Sequence, residues 1–394
     1  MDALLKEPKP DLKPAGLKRA ALDALAWWDV NRRDLPWRKT VDGRRDPYRV
    51  WLAEVLLQQT TAAAAAPYFE TFVKRWPTVF ALAAAPIEEV LAAFAGLGYY
   101  ARARNLSTCA KAVAARGGRF PETALELRRL PGVGEYIASA VAAIAFGEHV
   151  APVDGNIARV LARVLAVPTP IAKAKGKIGK LALKMTPAER PGDFAEALMD
   201  IGAMLCRPRK PECPRCPLND VCLARASRAP EKFPPRAPKP SRPVRRGIVF
   251  FARRPDGAFA TRRRDLNGLL GGMLELPGLM AADADRIAAA KPPFKARWRL
   301  LPETLTHAFT HFVLKLQVMA AEVGPDIGPS GALIFTPQER LETAGLSSAM
   351  VKAAKKAIKL LDNEAIDAAQ GRERPLSTHG GERVRVRGCS GFSG

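Results

Sequence analysis

The sequence predicts a multi-domain chain, with an all-α domain over residues 17–226 followed by an α/β domain over residues 247–361. Three observations carry that reading. From Leu17 to Ala226, Ala, Leu and Val recur at spacings of three and four. Proline and glycine punctuate the pattern, as between the helices of one domain. Residues 227–246 then gather six prolines and seven basic residues against one acid, the composition of an extended, semi-rigid linker. Beyond it the runs Arg246–Phe251 and His311–Val318 read as strands, and residues 347–361 as an amphipathic helix with a basic face.

The ends read differently. Residues 1–16 are charged and proline-rich, and flexibility is expected there. Residues 362–394 are rich in Gly, Arg and Ser with little apolar content, and a disordered tail is expected. A chain of 394 residues has room for two or three domains.

Charge narrows the partner. Lys and Arg number 62 against 39 acids, a net charge of +23. Such an excess points to a polyanion; the plainer reading is a basic protein kept soluble by its charge. The N-terminus lacks the apolar stretch of a signal peptide. No run approaches a membrane span, so no membrane partner is expected. Cys109 and Cys389 stand far apart and suggest no disulfide framework. A reducing, intracellular setting follows as an expectation.

The most specific local signal is CRPRKPECPRCPLNDVC. Cys206, Cys213, Cys216 and Cys222 have the spacing C-x6-C-x2-C-x5-C. Prolines at 208, 211, 214 and 217 oppose a helix that would splay the thiols. One metal centre fits better than two disulfides. Only one tight pair is present where zinc sites usually have two, which favours an iron–sulfur cluster over zinc or unligated cysteines.

The second signal is Leu130-Pro-Gly-Val-Gly-Glu-Tyr-Ile, between the run TALELRRL and a small-residue apolar helix. This is the layout of a helix–hairpin–helix. Gly132 and Gly134 are expected to make a tight turn with positive φ and to bring backbone N–H groups up to a phosphate. A simple corner between two helices is the alternative.

Two acids stand out by context. Glu54 lies in Trp51-Leu-Ala-Glu-Val-Leu-Leu-Gln-Gln-Thr60. Desolvation there would make its carboxyl hold a proton more tightly, as a general acid requires. An ordinary exposed helix position is the alternative. Asp154, in Val153-Asp-Gly-Asn, stands before a helix, where it could cap the helix or remain ionised against its dipole. A protonated acid opposite an ionised one suits glycosidic cleavage.

Taken in order, the hairpin, Val-Asp-Gly-Asn and the four-cysteine run resemble the endonuclease III superfamily of DNA base-excision glycosylases. Asp34-Leu-Pro-Trp-Arg38, Glu54-Val-Leu-Leu-Gln-Gln-Thr60 and Gly96-Leu-Gly-Tyr-Tyr-Ala-Arg-Ala-Arg-Asn105 are similar to its MutY branch, the adenine glycosylases. The resemblance implies a [4Fe–4S] cluster on Cys206, Cys213, Cys216 and Cys222. It implies a monomer acting on double-stranded DNA with adenine opposite 8-oxoguanine or guanine, in the cytoplasm at the nucleoid. Glu54 matches the acid that protonates adenine at N7, and Asp154 the carboxylate that stabilises the cationic sugar or a covalent intermediate. Tyr136 and Asn156 match residues supporting that chemistry. Trp37 and Arg38 match residues of the adenine pocket. Gln59 and Tyr99 match residues that invade the duplex, although a core aromatic is the plain alternative for Tyr99. Bifunctional relatives carry a lysine where Tyr136 stands. A phenol forms no Schiff base, so a monofunctional glycosylase leaving an abasic site is expected.

Gly268–Gly278 resembles the family's C-terminal Nudix-like domain. The glutamate cluster of a working Nudix hydrolase is missing after Gly278, so recognition rather than hydrolysis is expected. His307-Ala-Phe-Thr-His311 follows. In a strand, His307, Phe309 and His311 would share one face, as metal ligands or as ordinary strand residues. Phe309, Thr310 and His311 match the family's loop that detects 8-oxoguanine. Two rival functions are a bifunctional endonuclease III-type lyase and a non-catalytic iron–sulfur DNA-binding protein.

Overall fold

The computed structural model describes residues 12–40, 43–237, 241–265, 270–280, 284–329 and 331–369. The chain divides into two compact units, Met1–Ile87 with Arg102–Lys239, and Glu88–Ala101 with Pro240–Gly394.

Helices α1 (Pro14–Asn31), α2 (Pro47–Leu57), α3 (Ala62–Arg75), α4 (Val79–Ala84) and α5 (Ile87–Ala93) come first. They are followed by α6 (Ala101–Ala114), α7 (Ala124–Leu127), α8 (Glu135–Phe146), α9 (Gly155–Val164), α10 (Ile171–Met185), α11 (Pro191–Met204) and α12 (Leu223–Ala226). Local chemistry explains several starts. The Asp46, Thr61, Thr78 and Asp154 side chains accept backbone N–H groups at the heads of α2, α3, α4 and α9. Pro14 and Pro191 open α1 and α11, where a missing N–H costs nothing. The helix α8 is apolar on nearly every side and is buried to match.

The core of this unit gathers Leu17, Ala24, Ile157, Leu161, Ile178 and Phe194 from α1, α9, α10 and α11. Helix α11 packs against α1, α8 and α9, and α2 packs against α3 and α8. The approach of α11 to α9 is close. A Cβ added at Gly202 would lie 2.7 Å from the Asn156 Cβ.

In the second unit lie β1 (Val244–Arg253), β2 (Phe259–Arg263), β3 (Leu274–Glu275), β4 (Gly278–Leu279), β5 (Arg299–Leu300), β6 (Leu305–Ala308), β7 (Val313–Glu322) and β8 (Leu333–Thr336). They form one mixed sheet. Strands β1 and β7 run parallel from Val244↔Val313 to Arg253↔Glu322. Strands β2 and β4 pair antiparallel with β1, and β5 and β6 with β7. Alternation along β1 and β7 gives the sheet two buried faces. Val249, Phe251, Leu316 and Val318 meet Ala353, Ala357 and Leu361 of helix α14 (Ser348–Ala369). Ala252 and Ala260 meet Phe294, Trp298 and Phe335. The short helix α13 (Ala284–Ala288) lies against β1.

Several boundaries differ from the sequence reading. Helix α1 starts at Pro14, inside the stretch expected to be flexible, because proline presets the first turn. Helix α14 runs to Ala369 rather than ending near residue 361, because its apolar spacing continues through Leu361 to Ile366. The TALELRRL run makes only the single turn of α7. The expectations for residues 1–11, 268–269, 281–283 and 370–394 lie outside the described residues. Among the described residues no helix is long and apolar enough to cross a membrane.

Replacing Gly202 by alanine should destabilise this unit by roughly 1–3 kcal/mol through overpacking against Asn156. Denaturant unfolding checks this, and an unchanged midpoint would contradict the packing argument.

Candidate active site

The site is assembled from helices distant in sequence. Glu54 sits on α2 among Trp51, Leu52, Val55 and Leu56, and only 4% of it is exposed. Of the two readings of this position, desolvation is the one realised. The Tyr136 hydroxyl, from the first turn of α8, donates to Glu54 Oε2 at 2.7 Å. Burial pushes the Glu54 carboxyl up to about 7. The Tyr136 hydrogen bond opposes that rise, the negative charges of Asp154 and Glu196 add to it, and Arg38 opposes it. The Tyr136 hydroxyl is itself held well above its ordinary range, by burial first and then by Glu54 and Asp154. It therefore remains a proton-bearing donor at neutral pH.

Asp154 caps α9. Its Oδ1 accepts the Ile157 N–H at 2.6 Å, and its Oδ2 accepts from Asn156 Nδ2 at 3.1 Å. Asn156 Oδ1 in turn accepts from Arg159 Nη2 at 2.9 Å. Arg159 continues to the carbonyls of Gly202 at 2.7 Å and Cys206 at 2.9 Å. A continuous polar chain thus links the Asp154 carboxylate to the start of the cysteine loop.

Sequence reasoning missed a buried ion network beside this pair. Arg38, behind Pro36-Trp37, donates to Glu196 at 2.9 Å and to both Asp200 oxygens at 2.7 and 3.0 Å. Arg45 reaches Glu196 at 2.7 Å, and Arg33 reaches Asp200 at 2.6 Å. The Trp28 indole donates to Asp200 at 3.2 Å. Glu196 and Asp200 are 4% and 0% exposed. A signal existed. The two acids stand four apart in the apolar run Phe194-Ala-Glu-Ala-Leu-Met-Asp-Ile201, so they share one helix face. Trp37 is buried edge-on against Phe69 with ring centroids 5.6 Å apart.

The hairpin forms as expected, with one correction. Gly132 has φ +72, and a Cβ there would stand 2.4 Å from the Asn105 Cβ. Gly134 instead has φ −82 and serves as N-cap of α8, so only Gly132 requires the left-handed region. Gln59 just beyond α2 has φ +61 and is exposed. Tyr99 has φ +50 and is 41% exposed, which sets aside a core position for it. Non-glycine residues in that region are strained, and such strain concentrates at functional sites.

In the second unit, β6 ends at Ala308, so His307, Phe309 and His311 do not share a strand face. Phe309 to Phe312 instead form the turn into β7, closed by the Phe309 N–H donating to the Phe312 carbonyl at 2.9 Å. That turn is why β7 starts at Val313 rather than His311. Phe309 stacks on Phe312 at 4.6 Å, while Thr310 and His311 are exposed. The Thr310 hydroxyl forms a hydrogen bond with the Tyr99 hydroxyl, and both belong to the second unit. Segment 88–101 thus joins that unit, where the sequence suggested one contiguous helical domain.

Cys206, Cys213, Cys216 and Cys222 are free thiols lining one cavity together with Arg163, which donates to Cys206 Sγ at 3.2 Å. As they stand, no three His, Cys, Asp or Glu among the described residues are grouped to hold a metal ion. The donor set is nevertheless four soft sulfurs lining one cavity, with Arg163 on the Cys206 sulfur and Arg159 on the Cys206 carbonyl, which suits a thiolate-held anionic cluster.

Two family models match the chain. Residues 52–186 match the family model described as HhH-GPD superfamily base excision DNA repair protein, and residues 248–356 match the NUDIX domain. The chain is 35% identical to a human adenine DNA glycosylase over 393 residues, covering 83% of this chain and 72% of the relative. It is 44% identical to the rat adenine DNA glycosylase over 209 residues, covering 51% of this chain and 40% of that relative. Among solved structures it is similar to a thermostable thymine-DNA glycosylase, with 32% identity, TM-score 0.49, and coverage of 54% of this chain and 98% of that one.

The raised carboxyl has a measurable consequence. Glu54 holds its proton to about 7, against 4.5 ordinarily. Between those values the unfolded chain releases its proton first, so native stability is full below pH 4.5 and falls as pH rises through 7. The loss is about 3 kcal/mol by pH 8. Glu54→Gln removes that loss. Its unfolding free energy relative to the parent should therefore rise between pH 5 and pH 8, and an equal difference at both would refute the burial argument.

Proposed function

This chain belongs to the adenine DNA glycosylase family, whose members hydrolyse an N-glycosyl bond in base-excision repair, and we propose that it removes adenine opposite 8-oxoguanine or guanine, leaving an abasic site. The observation that carries the proposal is the Tyr136–Glu54 hydrogen bond at 2.7 Å inside a desolvated pocket that also feels Asp154.

The proposed reaction begins with an adenine turned out of the duplex. Flipping costs a few kcal/mol, less at a mispair. Phosphate gripped at Gly132 and Gly134, with Gln59 and Tyr99 entering the stack, would offset that cost. Trp37 and Arg38 would line the base pocket. Protonated Glu54 gives its proton to adenine N7, and the glycosidic bonding pair leaves with the base. The positive charge left on the sugar is met by Asp154, whose carboxylate is held by Asn156 and by the Ile157 N–H. Glu54, now ionised, can take a proton from the incoming water, while the Tyr136 hydroxyl supports its charged form. Position 136 offers a phenol where a lyase needs an amine, so strand cleavage through a Schiff base is not expected.

The four cysteines would hold a [4Fe–4S] cluster, which braces the 206–222 loop when bound. Arg159 and Arg163 already fasten that loop through the Cys206 carbonyl. In the second unit, Phe309, Thr310 and His311 are proposed to read the 8-oxoguanine opposite, on an exposed turn where recognition residues are commonly carried.

Two outcomes test this reading. Single-turnover adenine release from an A:8-oxoguanine duplex should be steady below pH 7 and fall about tenfold per unit above it, because Glu54 must carry the proton. A rate level to pH 9 would remove Glu54 from that role. With the alkali step omitted, the same reaction should yield abasic sites and intact strands. Abundant scission by pure protein would instead indicate a lyase.

A further inference from the structure

We propose that Arg102 is a positioning residue that locks the Gln58–Gln59 turn, and thereby sets where the proposed duplex wedge stands relative to the catalytic helix; this rests on the role proposed above for Gln59. Arg102 lies in the first turn of α6 and is 8% exposed. Its Nη1 donates to three carbonyls at the end of α2, those of Val55 at 3.0 Å, Leu56 at 3.1 Å and Gln58 at 2.6 Å. The last carbonyls of a helix lack intrahelical donors and carry the negative end of its dipole. A buried guanidinium supplies both the missing donors and the opposing charge.

The position of that clamp is informative. Glu54 lies on α2 immediately before the clamped carbonyls, and Gln59, at φ +61, immediately follows them. A non-glycine residue in this region persists only when its surroundings enforce it. The carbonyl of the residue before it is held by two side chains, Arg102 from α6 at 2.6 Å and, from within the turn itself, the Thr60 hydroxyl at 3.3 Å, so Arg102 is the one that ties the turn to another helix. The same helix α6 carries Asn105, which sits under the Gly132 turn. Trp51, Val55, Gln58, Arg102, Asn105 and Gly132 are among the residues lining a small, partly open cavity of about 20 Å³, with room for about one water. The wedge turn, the catalytic helix and the hairpin are therefore joined through one face of α6 with little slack.

The test is a double-mutant cycle on single-turnover adenine release from an A:8-oxoguanine duplex, using Arg102→Met and Gln59→Ala. Each single change should slow release about tenfold, and the double about tenfold rather than about a hundredfold, because both act through one turn. Multiplying effects would overturn the proposal while leaving the wedge in place. A Gln59→Ala protein as fast as the parent would overturn both readings. Arg102→Lys guards against misfolding of the methionine variant. Its ammonium can donate to the same carbonyls, so release should stay within about threefold of the parent. A folded lysine variant as slow as Gln59→Ala would also overturn the proposal.

Discussion

The proposed reaction depends on a carboxyl that has been taken out of water. Glu54 is buried on a helix whose other positions are mostly buried too, and among the described residues its hydrogen-bond donor is a neutral one, the Tyr136 hydroxyl. Had that partner been an arginine, the carboxyl would be ionised and useless as an acid. Placing a phenol there satisfies one lone pair without supplying positive charge. Arg38 is nearby, but two carboxylates, Glu196 and Asp200, occupy its guanidinium. Its influence on Glu54 is consequently smaller than that of burial.

The scaffold serves that arrangement by bringing four separate helices to one point. Helix α2 supplies Glu54, α8 supplies Tyr136, α9 starts at Asp154, and α11 carries the acids that hold Arg38. Close packing of α11 on α9 at Gly202, and on α8, makes these positions interdependent. The polar chain from Asp154 through Asn156 and Arg159 to the Cys206 carbonyl extends the same dependence to the cysteine loop. In the proposed reaction, anything that orders this loop also orders the carboxylate facing the sugar.

The second unit follows a different design. Its sheet is buried on both faces, with α14 on one side and aromatic side chains on the other. The Phe309–Phe312 turn exposes Thr310, which meets Tyr99 there, and His311. A rigid layer presenting a few polar groups on a short turn suits recognition better than bond-breaking.

How much of this could be read from the chain alone divides along a physical line. Features encoded within a few residues were legible: the cysteine spacing, the glycine hairpin, the cap at Asp154, the apolar setting of Glu54, and the change from helical to strand periodicity after the linker. Each follows from short-range backbone geometry or from the spacing of apolar residues. Features that need two distant segments to meet were not legible. Tyr136 finds Glu54 across 82 positions, Arg38 finds Asp200 across 162, and Arg102 finds Gln58 across 44. The start of β7 and the negative φ of Gly134 also emerged only on folding, since the neighbouring turns set them. The sequence by itself determined which groups were available and how each segment would bend. Tertiary packing decided which of them lost water and which partners they met, and so which carboxyl keeps its proton.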